Sequence, residues 1–182
     1  MRQTRLQIAK ADIVSLFDSE SKRIFTRTEI DAVMQRYRQF WRLAQRTTTL
    51  EFIGFLVSTS RLQIVSLDFP DRKEVRYIWD QAPFLEMAVS LRPRSYISHF
   101  SAAKAHGLTD QIPKTIYINH EQHGRSDPDA DLRQTAIDAA FARPQRLSNR
   151  VALLGDYRIC ILSGQNTGNA GVVREKVPDI YT

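Results

Sequence analysis

Hydrophobic residues recur at two different spacings along the first 80 residues, and the change of spacing separates helices from strands. Three stretches carry apolar residues every three or four positions, which is typical of helices with one buried face. These stretches cover residues 10–17, 27–37 and 49–58. Residues 62–68 follow a period of two, and after a turn at Pro70 the same period leads to Trp79. The pattern therefore predicts three helices followed by a two-stranded hairpin.

Two threonines mark where the second and third helices begin. Thr26 precedes Glu29, and Thr48 precedes Glu51, by the three positions that form a capping box. In a capping box the hydroxyl and the carboxylate satisfy backbone N–H groups that the first helical turn leaves without partners. The apolar residues expected on the buried face of the third helix are Leu50, Ile53, Leu56 and Val57.

The second half of the chain alternates between helical and strand patterns. One predicted helix begins at Ser98 and is ended by Gly107, which occupies the position of a C-capping glycine. The other predicted helices cover residues 82–91 and 131–142, and the predicted strands cover residues 115–119, 157–162 and 172–177. A polar loop over residues 120–131 and a glycine-rich turn over residues 164–171 connect them.

Three helices followed by a hairpin form the winged variant of the helix-turn-helix. In helix-turn-helix proteins the last helix of the motif lies in the major groove, and neighbouring residues contact the DNA backbone. The predicted fold class is therefore α+β, with a winged helix-turn-helix DNA-binding domain over residues 1–80 and a mixed α/β domain over residues 81–182.

The net charge of +6 is concentrated next to the predicted third helix. No acidic residue occurs from residue 32 to residue 50, and this stretch contains Arg36, Arg38, Arg42 and Arg46. A basic patch beside a helix that enters DNA suits phosphate contacts. The patch taken alone is equally consistent with a solvated basic face whose aromatic residues, Phe40 and Trp41, belong to the core.

The candidate DNA contacts form two groups. The arginines of the basic patch and Arg72 are expected to contact phosphates, whereas Thr48, Thr49 and Ser58 are expected in or near the groove. Further candidates are Arg61, which follows the third helix, and Lys73 and Arg76 in the hairpin. Charges at a hairpin tip are explained equally well by solubility. Because the third helix contains no arginine for a guanine contact, DNA binding is better supported than base reading.

No catalytic or metal motif accompanies these residues. Cys160 is the single cysteine, so it excludes an intramolecular disulfide and a cysteine zinc cluster. The histidines are His99, His106, His120 and His123, and they lack the HExxH spacing of a zinc enzyme. Asp127, Asp129 and Asp131 lack the glycine and the distal glutamate of an EF-hand, and the glycines at 164, 168 and 171 precede no P-loop lysine. We expect no metal, no cofactor and no enzymatic activity.

One motif resembles a known family. Residues 96–108, YISHFSAAKAHGL, followed by Pro113 and the strand over residues 116–118, resemble the core motif of AbiEi-type antitoxins. These are the antitoxins and transcriptional regulators of type IV toxin–antitoxin systems, which are linked to abortive phage infection. Residues 157–163 and 171–173 also resemble the family.

The resemblance implies a function for both halves of the chain. An N-terminal winged helix would bind operator DNA and repress its own operon, and the following domain would help to counteract a nucleotidyltransferase toxin. Family members usually continue past the last strand into a helical segment, whereas this chain ends at Thr182, so we expect either a short family member or a second domain truncated at its C-terminus.

Three hypotheses follow. The first is a non-enzymatic, cytoplasmic DNA-binding regulator, with two copies on the inverted repeats of a double-stranded operator. It is expected to be cytoplasmic and not membrane-bound because the chain has no apolar run of the ~20 residues that span a bilayer and no signal-peptide core. The second is a protein-interaction module of a phage-defence system, in which the winged helix docks a partner. The third is a nuclease, which the absence of a convincing acidic or histidine cluster disfavours.

Overall fold

The computed structural model describes residues 3–122, 133–142, 148–165 and 168–174. In these residues the chain forms seven helices and seven strands in two sheets, which is a mixed α+β architecture. The helices are α1 (Arg5–Ile8), α2 (Lys10–Ser19), α3 (Arg27–Tyr37), α4 (Thr49–Thr59), α5 (Phe84–Val89), α6 (His99–Ala105) and α7 (Gln134–Phe141). The strands are β1 (Ile24–Phe25), β2 (Leu62–Asp68), β3 (Lys73–Trp79), β4 (Tyr96–Ser98), β5 (Thr115–Gln122), β6 (Val151–Leu154) and β7 (Tyr157–Gln165).

The first sheet is antiparallel and has the order β1-β3-β2. Strands β2 and β3 form the predicted hairpin, which pairs Leu62 with Trp79 at one end and Asp68 with Lys73 at the other. Strand β1 adds a third member by pairing Ile24 with Ile78. The hairpin prediction is confirmed, whereas β1 has only two residues and shows no alternation that could have predicted it.

Both predicted capping boxes are confirmed. The Thr26 hydroxyl accepts a hydrogen bond from the Glu29 N–H, and the Glu29 carboxylate accepts one from the Thr26 N–H, so α3 begins at Arg27. Thr48 and Glu51 make the same pair of bonds at the start of α4. Each threonine therefore serves as the N-cap of its helix.

Helices α2, α3 and α4 pack on one face of the first sheet and form the first core. Trp79 is stacked on Phe17, with ring centroids 4.8 Å apart, and its indole N–H donates to Asp18. In α4 the buried residues are Phe52, Ile53 and Leu56. The predicted burial of Leu50 and Val57 is wrong, because Phe52 faces the core and turns these two residues toward solvent.

The second sheet is mixed and has the order β4-β5-β7-β6, with β5 and β7 parallel. The second core lies between this sheet, α5 and the face of the first sheet that points away from the helices. Residues from both halves of the chain contribute to this core: Ile24, Leu67, Phe69, Leu85, Met87, Leu91, Ile116, Ile118, Ile159 and Ile161. The division of the chain at residue 80 stays a prediction.

Several predictions for the second half are confirmed with changed boundaries. Helix α6 ends as expected: Gly107 has φ +67°, and the N–H of Leu108 donates to the Ala103 carbonyl. Helix α5 lies within residues 82–91, and β5 and β7 each extend three residues past their predicted ends. The described part of the predicted helix over residues 131–142 contains α7.

Three predictions for this half need correction. His120 lies in β5 and not in a loop, and Gly164 lies in β7 and not in a turn. Residues 172–174 are not in a strand, and the rest of the strand predicted over residues 172–177 lies outside the described residues. The short strands β4 and β6 were not predicted.

Gly164 allows a close approach between β7 and a buried polar side chain on β5. The Asn119 amide donates to the Tyr96 hydroxyl at 2.5 Å and accepts from the Gly164 N–H at 2.8 Å. A Cβ at residue 164 would lie 2.5 Å from the Asn119 amide nitrogen. Any larger residue at 164 would therefore force Asn119 to rotate and give up these bonds.

Candidate nucleic-acid interface

The connection from α3 to α4 folds around a buried arginine. Arg38 is only 7% exposed, and its guanidinium donates to Gln35 Oε1 at 3.0 Å, to the Ala44 carbonyl at 2.6 Å and to the Thr47 carbonyl at 3.0 Å. Buried carbonyl oxygens need donors, and here one side chain supplies several. Arg38 was predicted to contact phosphate, but its guanidinium is used inside the protein.

The same connection presents two side chains outward between two buried anchors. Trp41 and Leu43 are buried in the first core, whereas Phe40 is 71% exposed and Arg42 is also exposed. Arg42 has φ +50°, a left-handed conformation that non-glycine residues adopt uncommonly. The Arg5 side chain also donates to the Arg42 carbonyl at 3.2 Å. The backbone of this connection is thus held from several sides.

Three exposed arginines from this region form a surface that we call the basic loop surface, which consists of Arg36, Arg42 and Arg46. Within the described residues, none of the three side chains makes an ion pair or a hydrogen bond. Arg36 lies over the Tyr37 ring, 5.6 Å from its centroid. Guanidinium groups without a carboxylate partner are available for phosphate oxygens.

The threonines predicted to lie in or near the groove serve the helix start. Thr48 is the N-cap of α4, and its hydroxyl accepts from the Glu51 N–H at 3.2 Å. The Thr49 hydroxyl donates to Asp31, and this hydrogen bond is the main reason why the pKa of Asp31 is lowered. The contact also ties α4 to α3. Both hydroxyls are therefore already used within the protein.

The outward face of α4 is mostly apolar, with Glu51 and Ser58 as its exposed polar residues. Leu50 is 60% exposed, and Gly54 and Val57 follow it on the solvent side. The Ser58 hydroxyl is exposed but donates to the Phe55 carbonyl at 3.0 Å. This helix contains no arginine, lysine, asparagine or glutamine, which are the side chains that most often recognise base edges.

The cations of the hairpin tip have carboxylate partners within the chain. The Arg72 Nε lies 2.9 Å from Glu74, and the Lys73 Nζ lies 3.4 Å from Asp68. Both cations are exposed, and because Asp68 is exposed too, the Lys73–Asp68 pair contributes about 0–1 kcal/mol and a phosphate can replace Asp68 at little cost. Arg72 and Lys73 stay predicted contacts.

Two further candidates for DNA contact, Arg61 and Arg76, bind groups within the protein. Arg61 follows α4, and its guanidinium binds Asp18 at 2.5 Å and lies 3.7 Å from Asp80. Arg76 is buried between β3 and the end of α5. Its guanidinium donates to the Ser90 carbonyl. Arg76 was a candidate for a minor-groove or phosphate contact, and its burial contradicts that prediction.

The histidines lie apart. His99 begins α6 with φ +55° and contacts the Ser98 hydroxyl, His106 is the C-cap of the same helix, and His120 contacts the Pro93 carbonyl. His123 and the aspartates at 127, 129 and 131 lie outside the described residues. Across the ranges that the structure describes, no three histidine, cysteine, aspartate or glutamate side chains group as a metal site. Burial raises the pKa of Cys160.

None of the helices in the described ranges is both long and apolar enough to cross a membrane. No protein-family model, no curated protein and no solved structure matches the chain. The case for a function therefore rests on the surfaces described above.

Proposed function

We propose that the chain is a DNA-binding transcriptional regulator of the type IV antitoxin kind, and that residues 1–80 act as a winged helix-turn-helix. The element order supports this proposal, because α2, β1, α3, α4 and the β2–β3 hairpin follow one another as in a winged helix. The antiparallel order β1-β3-β2 is also that of a winged helix.

The basic loop surface is the observation that carries the proposal. Its three guanidinium groups have no acidic partner among the described residues, and the connection that bears Arg42 and Arg46 leads directly into the N-terminus of α4. Phosphate contacts of this kind supply the sequence-independent part of DNA affinity.

The proposed mode of binding relies on DNA shape more than on base edges. The exposed side of α4 offers Leu50, Gly54 and Val57, which form no side-chain hydrogen bonds, while the exposed Glu51 and Ser58 already bond within the helix. Sequence preference would then arise from groove shape and from the spacing of two copies on inverted repeats. In this proposal the regulator represses its own operon, and residues 81–182 contribute to counteracting a nucleotidyltransferase toxin.

The test is an electrophoretic mobility shift with DNA from upstream of the chain's own gene, against scrambled DNA, at several salt concentrations. The double substitution Arg42→Gln and Arg46→Gln should weaken binding to all sequences. It should also reduce the slope of log affinity against log salt by about 2, because two phosphate contacts are lost.

The matched control is Arg150→Gln, which removes one exposed cation outside residues 1–80 and should leave the slope unchanged. An unaltered slope in the double variant would contradict the assignment of the basic loop surface. Equal affinity for upstream and scrambled DNA would contradict operator recognition.

A second candidate function is a protein-interaction module, which the apolar outward face of α4 favours. In that case a protein partner of the defence system would cover Leu50, Gly54 and Val57. A Leu50→Asp substitution would then abolish a salt-tolerant protein complex and leave salt-sensitive DNA binding unchanged. The opposite pattern would support the regulator.

A further inference from the structure

A cleft lined mainly by basic side chains lies beside the start of α3. Its volume is about 510 Å³, and its walls come from residues 22–29 and from the segment around the end of α5. Volumes of roughly 300–1,000 Å³ are usual for small-molecule sites. The charged residues of the walls are Lys22, Arg23, Arg76, Arg92 and Arg94, with the carboxylates Glu29 and Glu86.

A cluster of charges behind the cleft has too few acids. Arg76 and Arg92 both contact Glu74, and the three side chains are only 10–13% exposed. Arg72 contacts the same carboxylate. Burial would raise the pKa of Glu74, but the hydrogen bond from Arg92 and the nearby guanidinium charges lower it. One carboxylate neutralises only one of these guanidinium groups, so the cluster keeps a net positive charge.

The free hydrogen-bond donors of the cleft are cationic. Its hydroxyl groups already donate within the protein: Ser90 to the Met87 carbonyl, Ser95 to the Val89 carbonyl and Thr26 to Glu29. In contrast, Arg92 uses only Nη1, which donates to Glu74 and to the Leu91 carbonyl. Its Nε and Nη2 groups have no partner among the described residues.

Arg94 is the second free cation of the cleft. It is exposed, has φ +58°, and makes no side-chain hydrogen bond or ion pair to any residue that the structure describes. Lys22 pairs with Glu29, and Arg23 donates weakly to the carbonyls of Phe17 and Asp18. Of the cations that line the cleft, Arg92 and Arg94 are therefore the ones whose hydrogen-bond donors are least used by described residues.

We propose that this cleft binds a small phosphate-bearing molecule, whose phosphate is held by Arg92 and Arg94. Guanidinium groups match phosphate oxygens in charge and in paired hydrogen-bond geometry. The bound phosphate would also supply the counter-charge that the Glu74 cluster lacks. The site is separate from the basic loop surface and does not depend on the proposed DNA binding.

The test is isothermal titration calorimetry of the full chain with inorganic pyrophosphate, at constant ionic strength maintained with sodium chloride. Pyrophosphate should bind and raise the unfolding temperature. Arg94→Gln should weaken this binding about tenfold or more, because one charge-assisted contact is lost. Arg94 is exposed and its side chain makes no hydrogen bond or ion pair to a described residue, so the variant should keep the fold, which circular dichroism verifies.

The matched control is Arg150→Gln, which removes an exposed cation that lines neither the cleft nor the basic loop surface and should leave pyrophosphate binding unchanged. Absence of heat and of a temperature shift at millimolar pyrophosphate would overturn the proposal, as would equal binding by wild type and Arg94→Gln. If pyrophosphate fails while Arg94→Gln weakens DNA binding, the cleft contacts a DNA phosphate and the small-ligand proposal is wrong. Failure of DNA binding alone would leave the pyrophosphate result intact, so the two proposals fail separately.

Discussion

Two arginines of the described residues, Arg38 and Arg76, are buried, and their surroundings differ. Arg38 holds the α3–α4 connection by donating to a glutamine side chain and to backbone carbonyls. Arg76 holds the junction between β3 and α5 by donating to the Ser90 carbonyl and to the Glu74 carboxylate. The first region depends on neutral acceptors, whereas the second depends on one carboxylate shared among several cations.

This difference shows that a buried guanidinium can be accommodated by acceptors without a counterion in contact with it. In the α3–α4 connection no carboxylate is needed to hold Arg38, so the exposed arginines nearby remain available to an external anion. At the β3–α5 junction the stability depends on the charge state of Glu74. The two regions should therefore respond differently to substitution and to acid.

The largest expected effect comes from Glu74→Gln. This substitution leaves Arg76 and Arg92 mostly buried without their shared carboxylate, and breaking a buried ion pair in this way costs about 3–5 kcal/mol. Urea unfolding would measure the loss in the free energy of unfolding. Glu20→Gln is the control, because Glu20 is exposed and its loss should change stability by less than about 0.5 kcal/mol.

A smaller loss is expected for Arg38→Lys. Lysine keeps the charge but cannot reach Gln35, Ala44 and Thr47 together, so carbonyl oxygens lose their donor and the free energy of unfolding should fall by about 2–3 kcal/mol. The comparison variant is Arg36→Lys, an exposed change on the same helix, for which about 0.5 kcal/mol or less is expected. Equal stability of the two variants would show that the carbonyl contacts of Arg38 contribute little.

The smallest effect is a pH dependence confined to one region. The pKa of Glu74 in the folded protein lies below its ordinary value of 4.5. As the pH falls, the Glu74 carboxylate is therefore protonated in the unfolded chain before it is protonated in the folded protein. The stabilisation that the ionised Glu74 carboxylate gives the folded protein is fully present above pH 4.5 and is lost as the pH falls through the folded pKa. The stability gap between wild type and Glu74→Gln should therefore narrow in acid.

The difference in the free energy of unfolding between wild type and Arg38→Lys should stay constant over the same pH range, because the hydrogen bonds of Arg38 go to acceptors that do not ionise. Urea unfolding of the three proteins from neutral pH to about pH 4 would test both expectations together. A parallel change in both gaps would contradict the contrast drawn between the two regions.

Local signals predicted the elements with capping boxes well. The boxes of Thr26 and Thr48 located the first residues of α3 and α4, because the signal and the structure involve the same few neighbouring residues. Thr4 and Gln7 form the same box at the start of α1, so the sequence also contained the signal for that helix. The short strands β1 and β4 depend on partners distant in the chain and carry no such signal.

Burial was less predictable than helix position. Nothing in the sequence separates Arg38 from Arg36 or Arg42, since the difference arises from how the chain turns after α3. Likewise Leu50 has the spacing of a core residue, but Phe52 occupies the buried face of α4 and leaves Leu50 in solvent. Which side chains are buried depends on tertiary packing, and this burial determines which cations are left to form the basic loop surface.

The contact between Asn119 and Gly164 restricts how these two positions can diverge during evolution. A side chain at 164 would collide with the asparagine amide, so a mutation there is deleterious while Asn119 is present. The same mutation becomes tolerable once residue 119 has a shorter side chain. Substitutions at the two positions should therefore be epistatic, with the change at 119 preceding the change at 164 in any lineage that carries both.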